Sequence, residues 1–264
     1  MSAGLDFETR ILVKREAPEL LRRALASPRW KPSVVALSGV TDPYQPAERR
    51  LRLTRGCLGV LAEFRNPVAV VTKSYTVTRD ADLLAELASH GAASVSISLT
   101  SLDAELQRRM EPRASAPGRR LAAIERLAKA GIPVGVLVAP IIPGLTDHEI
   151  PALLAAAASA GASFAGRVVL RLPHGTKQLF EEWLERHYPE RREKILARLR
   201  ALHGGKLYDP GFGQRQRGSG PFAEQIGGLF ELARRRAGLA EHGLELSTAA
   251  FRRPGARAAQ LELF

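Results

Sequence analysis

The sequence predicts an α/β protein whose parallel strands form an open or partial barrel. Short apolar runs alternate regularly with amphipathic helical patterns, which is typical of strands joined by right-handed helical crossovers. Residues 133–140 form a continuous apolar run, as expected of a parallel strand covered on both faces. Five strong strands and one weak strand are too few for a closed eight-stranded barrel, so an open or partial barrel fits better.

The predicted elements follow one another along the first two thirds of the chain. We expect strands at residues 11–14 (the weak one), 33–38, 67–72, 94–100, 133–140 and 167–172. The helical patterns between them cover residues 17–26, 46–64, 80–90, 119–130 and 148–160. Gly131 follows the fourth of these helices and predicts its C-cap.

Beyond residue 173 the pattern becomes helical and charged. We expect helices at residues 178–188, 190–203 and 222–236, with a glycine-rich basic loop at residues 209–221. The chain is therefore predicted to have two parts, a barrel core over residues 1–173 and a helical, basic extension over residues 174–264.

The composition limits the classes of protein to which the chain can belong. Hydrophobic residues make up 45% of the sequence, enough for a core, and no apolar window approaches the length of a membrane span. The first ten residues lack a signal-peptide pattern, so we expect a cytoplasmic protein. The one cysteine, Cys57, lies in a helical pattern and excludes any site built from several thiolates of this chain alone.

The formal net charge of +12 is concentrated in residues 191–236. Four acidic residues of this segment oppose eleven basic ones: Arg191, Arg192, Lys194, Arg198, Arg200, Lys206, Arg215, Arg217, Arg234, Arg235 and Arg236. Excess positive charge attracts polyanions, and nucleic acid is the usual partner. The alternative is that the arginines reflect a genome rich in arginine codons.

Polar residues follow the ends of several predicted strands, where ligands sit in folds of this kind. Thr41 and Asp42 offer a hydroxyl and a carboxylate, although either could instead cap the next helix. Lys73 could meet a carboxylate or phosphate, or could simply be solvated. Alternating serines, ending at Ser98, line one strand face that needs polar partners. Arg109, Glu111 and Arg113 flank Pro112 in a predicted loop and could hold an anion or form a surface salt bridge.

Five segments together carry a resemblance to a known family: GVTDPYQPAE (39–48), VVTKS (70–74), VSISLT (95–100), the stretch 109–149 and FRRP (251–254). They resemble the radical S-adenosylmethionine (AdoMet) superfamily, in particular the bacterial branch related to spore photoproduct lyase. The resemblance implies a partial (β/α)6 TIM-like barrel. It also implies a Cys-x3-Cys-x2-Cys loop after the first strand, which holds a [4Fe–4S] cluster. AdoMet bound at that cluster is cleaved reductively to a 5′-deoxyadenosyl radical, and the resemblance implies lyase or repair chemistry on nucleic acid.

The resemblance also assigns residues of this chain to parts of AdoMet. Thr41 and Asp42 would lie near its amino group, and Lys73 would meet its carboxylate. Ser98 would contact the ribose or the carboxylate, and Ala139 and Pro140 the adenine. Arg113 is a further candidate for the AdoMet site.

The chain departs from the family in its cysteines. It has no cysteine trio. Its residues 4–8 (GLDFE) resemble the segment that in the family follows the cluster loop. We therefore expect a chain shortened at its N-terminus, without the first strand and the cluster loop, and inactive alone. Two alternatives are a non-enzymatic nucleic-acid-associated protein that has lost the cluster, and a barrel lyase or aldolase that uses Lys73 as a Schiff base.

The last five residues form a separate motif. Gln260, Leu261, Glu262, Leu263 and Phe264 resemble the short peptide by which bacterial replication and repair proteins dock on the sliding clamp. Alternatively, these apolar side chains pack on the protein's own barrel.

Overall fold

The computed structural model describes residues 11–39, 41–208, 211 and 216–254, and its centre is a five-stranded parallel sheet. The strands are β1 (Val35–Leu37), β2 (Val68–Thr72), β3 (Ala93–Leu99), β4 (Val134–Ile141) and β5 (Phe164–Val169). They lie in sequence order, and every neighbouring pair is parallel. This order confirms the predicted α/β fold with parallel strands.

Helices connect the strands and continue beyond the sheet. They are α1 (Ala17–Ala26), α2 (Glu48–Leu51), α3 (Leu53–Phe64), α4 (Ala81–Ser89), α5 (Ala104–Met110), α6 (Pro117–Lys129), α7 (Ile150–Ser159), α8 (Thr176–His187), α9 (Arg192–Leu202) and α10 (Pro221–Arg236). A 3₁₀ turn, Tyr75–Asp80, precedes α4. None of these described helices is long and apolar enough to cross a membrane. The expected cytoplasmic location stays a prediction.

Two predicted elements were wrong, and one helix was missed. Residues 11–14 form no strand, and Leu12 is 80% exposed, because a run of three apolar residues without a neighbouring strand cannot be paired. The single helix predicted over residues 46–64 is two helices, because Arg52 takes φ 52° between α2 and α3. Helix α5 was missed, although Asp103 caps it by accepting hydrogen bonds from two backbone amides.

The two faces of the sheet differ in the size and burial of their side chains. The face toward the helices is fully buried and built from branched side chains, which include Val70, Val95, Ile97, Val136 and Val138. The opposite, inner face combines small residues, among them Ala69, Ser94, Ser96 and Gly166, with the larger Val71 and Leu137, and these residues are half-buried. Because side chains alternate along each strand, the hydroxyl row predicted from the sequence lies on this inner face and leaves it open.

Phe164 closes the amino end of the inner face. Its ring lies over Gly135, where an added Cβ would come within 2.3 Å of the ring carbons. Gly135 pairs with Phe164 in the β4–β5 register, so the ring crosses from one strand to the next. The open part of the inner face is therefore at the carboxyl end of the strands.

The C-terminal extension packs on the sheet and its helices. Helices α8 and α9 form a second apolar cluster with the loop after β4, and α10 joins the main core through Ile226 and Phe230. Residues 239–254 then cross the amino edge of the sheet. Ala240 O accepts from Ala165 N in β5, and Ala240 N donates to Ser163 O just before β5. Ser247 N donates to Gly91 O, and Arg252 N donates to Phe64 O. The chain segments at 4–8 and 260–264, to which the sequence assigns roles, lie outside the described residues.

Candidate active site

A cluster of ionised side chains, which we name the Glu111 cluster, lies at the carboxyl edge of the sheet and consists of Lys73, Glu111 and Arg120. The Glu111 side chain is 14% exposed and stands between the two cations. Its Oε1 accepts a hydrogen bond from Lys73 Nζ, and its Oε2 accepts one from Arg120 Nη2 at 2.5 Å. Such a buried carboxylate is stable because both of its oxygens face a positive charge.

Arg120 is the buried anchor of the Glu111 cluster. It begins the apolar stripe of α6, and its side chain is 1% exposed. Its Nη1 donates to Ser98 O at 3.0 Å, and its Nε donates to Ser115 O at 2.7 Å. The guanidinium therefore joins α6 to the end of β3 and to the loop that carries Glu111.

Lys73 connects the ends of three strands. It directly follows β2, and its Nζ donates to Thr100 Oγ1 after β3 at 3.2 Å and to Ala139 O in β4 at 3.1 Å. With Glu111, these groups give the ammonium three acceptors, one for each of its protons. The side chain is 30% exposed, and a ligand that binds the charge must displace one of these three acceptors.

The pKa values in the Glu111 cluster reflect burial and charge. Burial lowers the pKa of the Lys73 ammonium below its ordinary value, and Arg120 adds to this effect while Glu111 opposes it. Burial alone would raise the pKa of the Glu111 carboxyl, but the charges and hydrogen bonds of Lys73 and Arg120 outweigh it and hold that pKa below its usual range. A lowered pKa is the direction that a Schiff-base lysine requires, but the three acceptors of Lys73 are hydrogen-bond partners of the ammonium form.

Asp42 fixes the loop after β1 to the end of β2. Its Oδ1 accepts hydrogen bonds from Thr72 Oγ1 at 2.6 Å and Tyr44 N at 2.8 Å, and its Oδ2 accepts from Lys73 N at 2.7 Å. The alternative that Asp42 caps the next helix was wrong, because the residue that precedes α2 is Ala47. The Asp42 carboxylate instead stabilises its own turn and orients the backbone of Lys73.

The structure brings most of the sequence-predicted residues to one edge. Asp42, Lys73, Ser98 and Ala139 all contact or adjoin the Glu111 cluster, and Pro140 follows Ala139 through a cis peptide bond. Thr41 lies exposed on the same loop as Asp42. Arg113 is exposed beside a shallow depression of about 60 Å³, lined by Tyr44, Pro46, Arg49, Ser74, Arg113, Ala114 and Ser115.

Sequence reasoning gave Arg120 no role, and it recognised Thr100 only as the last residue of the VSISLT segment. Arg120 was included in a predicted helix without a role, although it stands four residues before Ile124 and seven before Leu127. A charged residue on the buried stripe of an amphipathic helix signals a buried ion pair, and this signal could have found it. Thr100, like Lys73, directly follows a strand, and its partners come from other strands.

The side chains present do not fit a [4Fe–4S] cluster. In the described part of the chain, no three His, Cys, Asp or Glu side chains come together as a metal-binding group. Cys57 is half-buried in α3, in the helical layer outside the sheet. An iron–sulfur cluster of this type takes several thiolates, and the one cysteine of this sequence cannot supply them.

The fold and the polar carboxyl edge agree with a comparison against protein families. The model of the Radical SAM superfamily matches residues 6–157. The chain belongs to the radical SAM superfamily, as the resemblance of its motifs predicted.

Two groups of curated proteins are similar in sequence. Uncharacterized proteins of Mycobacterium tuberculosis (strain H37Rv) and Mycobacterium bovis are each 38% identical over 209 residues, which cover 78% of this chain and 60% of the relative. An uncharacterized protein of Methanocaldococcus jannaschii is 28% identical over 185 residues, 70% of this chain and 66% of the relative. The chain thus spans about 60% of the length of its mycobacterial relatives.

Several similar solved structures are of spore photoproduct lyase. The enzyme complexed with dinucleoside spore photoproduct superposes with a TM-score of 0.60 and 18% identity, over 88% of this chain and 67% of that chain. A variant with bound AdoMet and dinucleoside spore photoproduct gives a TM-score of 0.59 and 17% identity, with the same coverage. The predicted relation to this branch is confirmed for the fold.

Proposed function

We propose that this chain is the AdoMet-binding barrel of a radical SAM enzyme, with the Glu111 cluster as one wall of the AdoMet site. The observation that carries the proposal is the position of Lys73, a partly exposed cation where β2, β3 and β4 end beside the open inner face. Ligands of parallel α/β folds bind at this edge. Membership of the superfamily supports AdoMet as the ligand.

The residues at this edge match the chemical groups of AdoMet. Lys73 would hold the methionyl carboxylate, and the Thr41–Asp42 loop would lie near the ammonium group. The Ser98 side chain, on the inner face, would contact the ribose. Ala139 O already accepts hydrogen bonds from Lys73 and Thr100, so the adenine would pack on the half-exposed Pro140 ring. Arg113, at the mouth, is a further contact.

We infer that the cluster ligands come from residues outside this sequence. In the superfamily the bound cofactors supply a 5′-deoxyadenosyl radical that abstracts hydrogen from a substrate. The greater length of the mycobacterial relatives is consistent with further residues. Reading the in-frame DNA upstream of Met1 tests this inference. A Cys-x3-Cys-x2-Cys motif in frame would support it, and a stop codon without cysteines would refute it.

Direct binding tests the AdoMet proposal without a cluster. AdoMet is titrated into the purified chain by calorimetry, with Lys73→Met and the exposed, peripheral Lys129→Met as matched variants. We expect Lys73→Met to weaken AdoMet binding by roughly tenfold, because it removes one charge-assisted hydrogen bond. Lys129→Met should leave AdoMet binding unchanged. Equal affinity of the two variants would refute the role of Lys73.

We also propose a nucleic-acid substrate, which the excess positive charge of residues 191–236 supports. Helices α9 and α10 expose Lys194, Arg200, Arg235 and Arg236. The same observation favours a second candidate function, that of a non-enzymatic nucleic-acid-associated protein. Salt-dependent DNA binding by a full-length protein that never carries a cluster would favour this second candidate. Cluster-dependent AdoMet cleavage would favour the enzyme.

Docking on the sliding clamp stays a proposal. Its residues, Gln260, Leu261, Leu263 and Phe264, lie outside the described part of the chain. Titration of purified clamp with a peptide of the last ten residues tests it, with Leu263→Ala and Phe264→Ala substituted together in the control peptide. A shift with the native peptide alone would support clamp docking, and no shift with either peptide would refute it.

A further inference from the structure

We propose that a cavity lined by arginines, outside the inner face of the sheet, is a phosphate-binding site. The cavity has a volume of about 400 Å³ and lies among α3, the 3₁₀ turn, the start of α4 and α6. We name it the arginine cavity, and its lining residues are Arg52, Arg55, Thr78, Arg79, Ala81, Asp82 and Arg126. The proposal does not depend on AdoMet, because none of these residues belongs to the Glu111 cluster.

Two of the arginines are held in the cavity wall by buried carboxylates. Asp80, which is fully buried, accepts hydrogen bonds from Arg55 Nη1 at 3.0 Å and from Arg79 Nε and Nη2, each at 2.8 Å. Glu48, 5% exposed, accepts from Arg79 Nη2 at 2.9 Å. These bonds hold the two guanidinium groups in place before a ligand binds. Ligand binding therefore costs little conformational entropy at these two side chains.

The other two arginines carry charge that no carboxylate balances. Arg52 and Arg126 are both exposed, and neither forms an ion pair within the described part of the chain. Arg126 bonds to the Tyr75 hydroxyl, an interaction that lowers the pKa of this phenol, with a smaller contribution from Thr78. Arg52 stands at the left-handed junction between α2 and α3. Both side chains can therefore turn their donors to a ligand.

Asp82 is the one carboxylate that lines the arginine cavity. It is exposed and accepts from Arg55 Nη1 at 2.9 Å and Arg55 Nη2 at 2.7 Å. With buried Asp80 and Glu48 included, three carboxylates face four guanidinium groups, so one net positive charge remains at the cavity. Planar guanidinium donors suit the oxygens of phosphate, and a cavity of this size accepts more than one phosphate group.

The position of the cavity suggests two sources of phosphate. The Arg79 guanidinium lies 5.9 Å from the ring centroid of Tyr44, which lines the depression beside Arg113 at the mouth of the barrel. One source is therefore the backbone of a nucleic-acid strand that crosses the arginine cavity near this depression. The other source is a small polyphosphate, which would occupy the cavity alone.

The test measures binding of two probes to the full chain without AdoMet at low salt. The probes are inorganic tripolyphosphate and a fluorescein-labelled oligonucleotide of twelve thymidines. The test variant combines Arg52→Gly with Arg126→Ala, because glycine suits the φ of 52° at position 52 and both side chains are exposed. The control combines Arg29→Ala with Lys177→Ala, two exposed residues outside the cavity lining and outside the basic region 191–236, and removes the same charge.

We expect the test variant to bind tripolyphosphate roughly tenfold more weakly than the wild type, and the control to change less than about twofold. An equal loss of affinity for the oligonucleotide, together with displacement of the oligonucleotide by tripolyphosphate, would assign the cavity to a nucleic-acid backbone. A loss for tripolyphosphate alone would assign it to a small phosphate ligand. If the wild type binds neither probe, or if the test variant binds both as tightly as the control does, the proposal is wrong.

Discussion

Arg120 donates to Glu111 from a side chain that is almost completely buried, at a distance of 2.5 Å. This pair joins α6 to the loop between α5 and α6. Arg120 binds one oxygen of the Glu111 carboxylate, and Lys73 binds the other. The position of a candidate ligand-binding lysine thus depends on an arginine that no ligand could reach. The stability of the fold and the geometry of the candidate site share one ion-pair cluster.

Replacement of Arg120 should destabilise the protein strongly. Arg120→Met removes one of two cations from a buried carboxylate, and breaking a buried pair of this kind costs about 3–5 kcal/mol. Urea unfolding followed by circular dichroism measures the change. Arg108→Met, an exposed replacement on α5, is the matched control and should cost less than about 0.5 kcal/mol. Equal midpoints for the two variants would contradict the account.

The Glu111 cluster should also make stability depend on acid. The pKa of Glu111 is lowered in the folded protein, so its contribution is fully present above the ordinary carboxyl pKa of about 4.3 and is lost as the pH falls through the lower, folded value. Glu111→Gln has no such charge to lose. The difference in unfolding free energy between wild type and variant should therefore shrink as the pH falls below about 4. A difference that is constant with pH would refute this prediction.

Gly135 should not tolerate a side chain. In Gly135→Ala the new Cβ would meet the Phe164 ring at 2.3 Å, and overpacking of this kind costs about 1–3 kcal/mol. Thermal unfolding measures the cost, and Phe164→Leu in the same chain should recover part of it. Gly59→Ala in α3 is the control, because a Cβ there meets nothing within 4 Å and alanine favours the helix. Equal effects of the two glycine replacements would contradict the proposed packing.

Arg52→Gly should stabilise the fold by up to about 1 kcal/mol, because φ 52° suits glycine better than a residue with a Cβ. The same change at Arg49, inside α2, should destabilise by about 0.5–1 kcal/mol, since helical glycine costs backbone entropy. Chemical denaturation of both variants provides the comparison. If both changes destabilise equally, the left-handed junction at Arg52 is not a source of strain.

Local sequence patterns predicted the sheet well and the contacts of the site only in part. The apolar run at residues 133–140 marked β4 because a strand buried on both faces needs continuous apolar residues. Residues that follow strands, such as Lys73, were recognised because parallel strands place their carboxyl ends at one edge. The partners of Lys73 were not recognised, because Glu111 and Ala139 lie 38 and 66 residues further along the chain.

Two other features escaped prediction for a different physical reason. The left-handed φ of Arg52 divides a helix whose apolar periodicity continues across the junction, so the pattern alone indicated one helix. The arginine cavity combines residues of α3, the 3₁₀ turn and α6, and their convergence depends on how these helices pack on the sheet. Tertiary packing, rather than local preference, determines both features.

Chemical-shift mapping with AdoMet tests the central claim most directly. Amide resonances of the ¹⁵N-labelled chain are followed while AdoMet is added to several millimolar, so that binding without a cluster is also detected. We predict saturable shifts for the amides of Thr41, Lys73, Ser98 and Ala139, at the carboxyl edge of the sheet, and their loss in Lys73→Met. Shifts confined to the arginine cavity, or none at the highest concentration, would contradict the assignment of this edge as the AdoMet site.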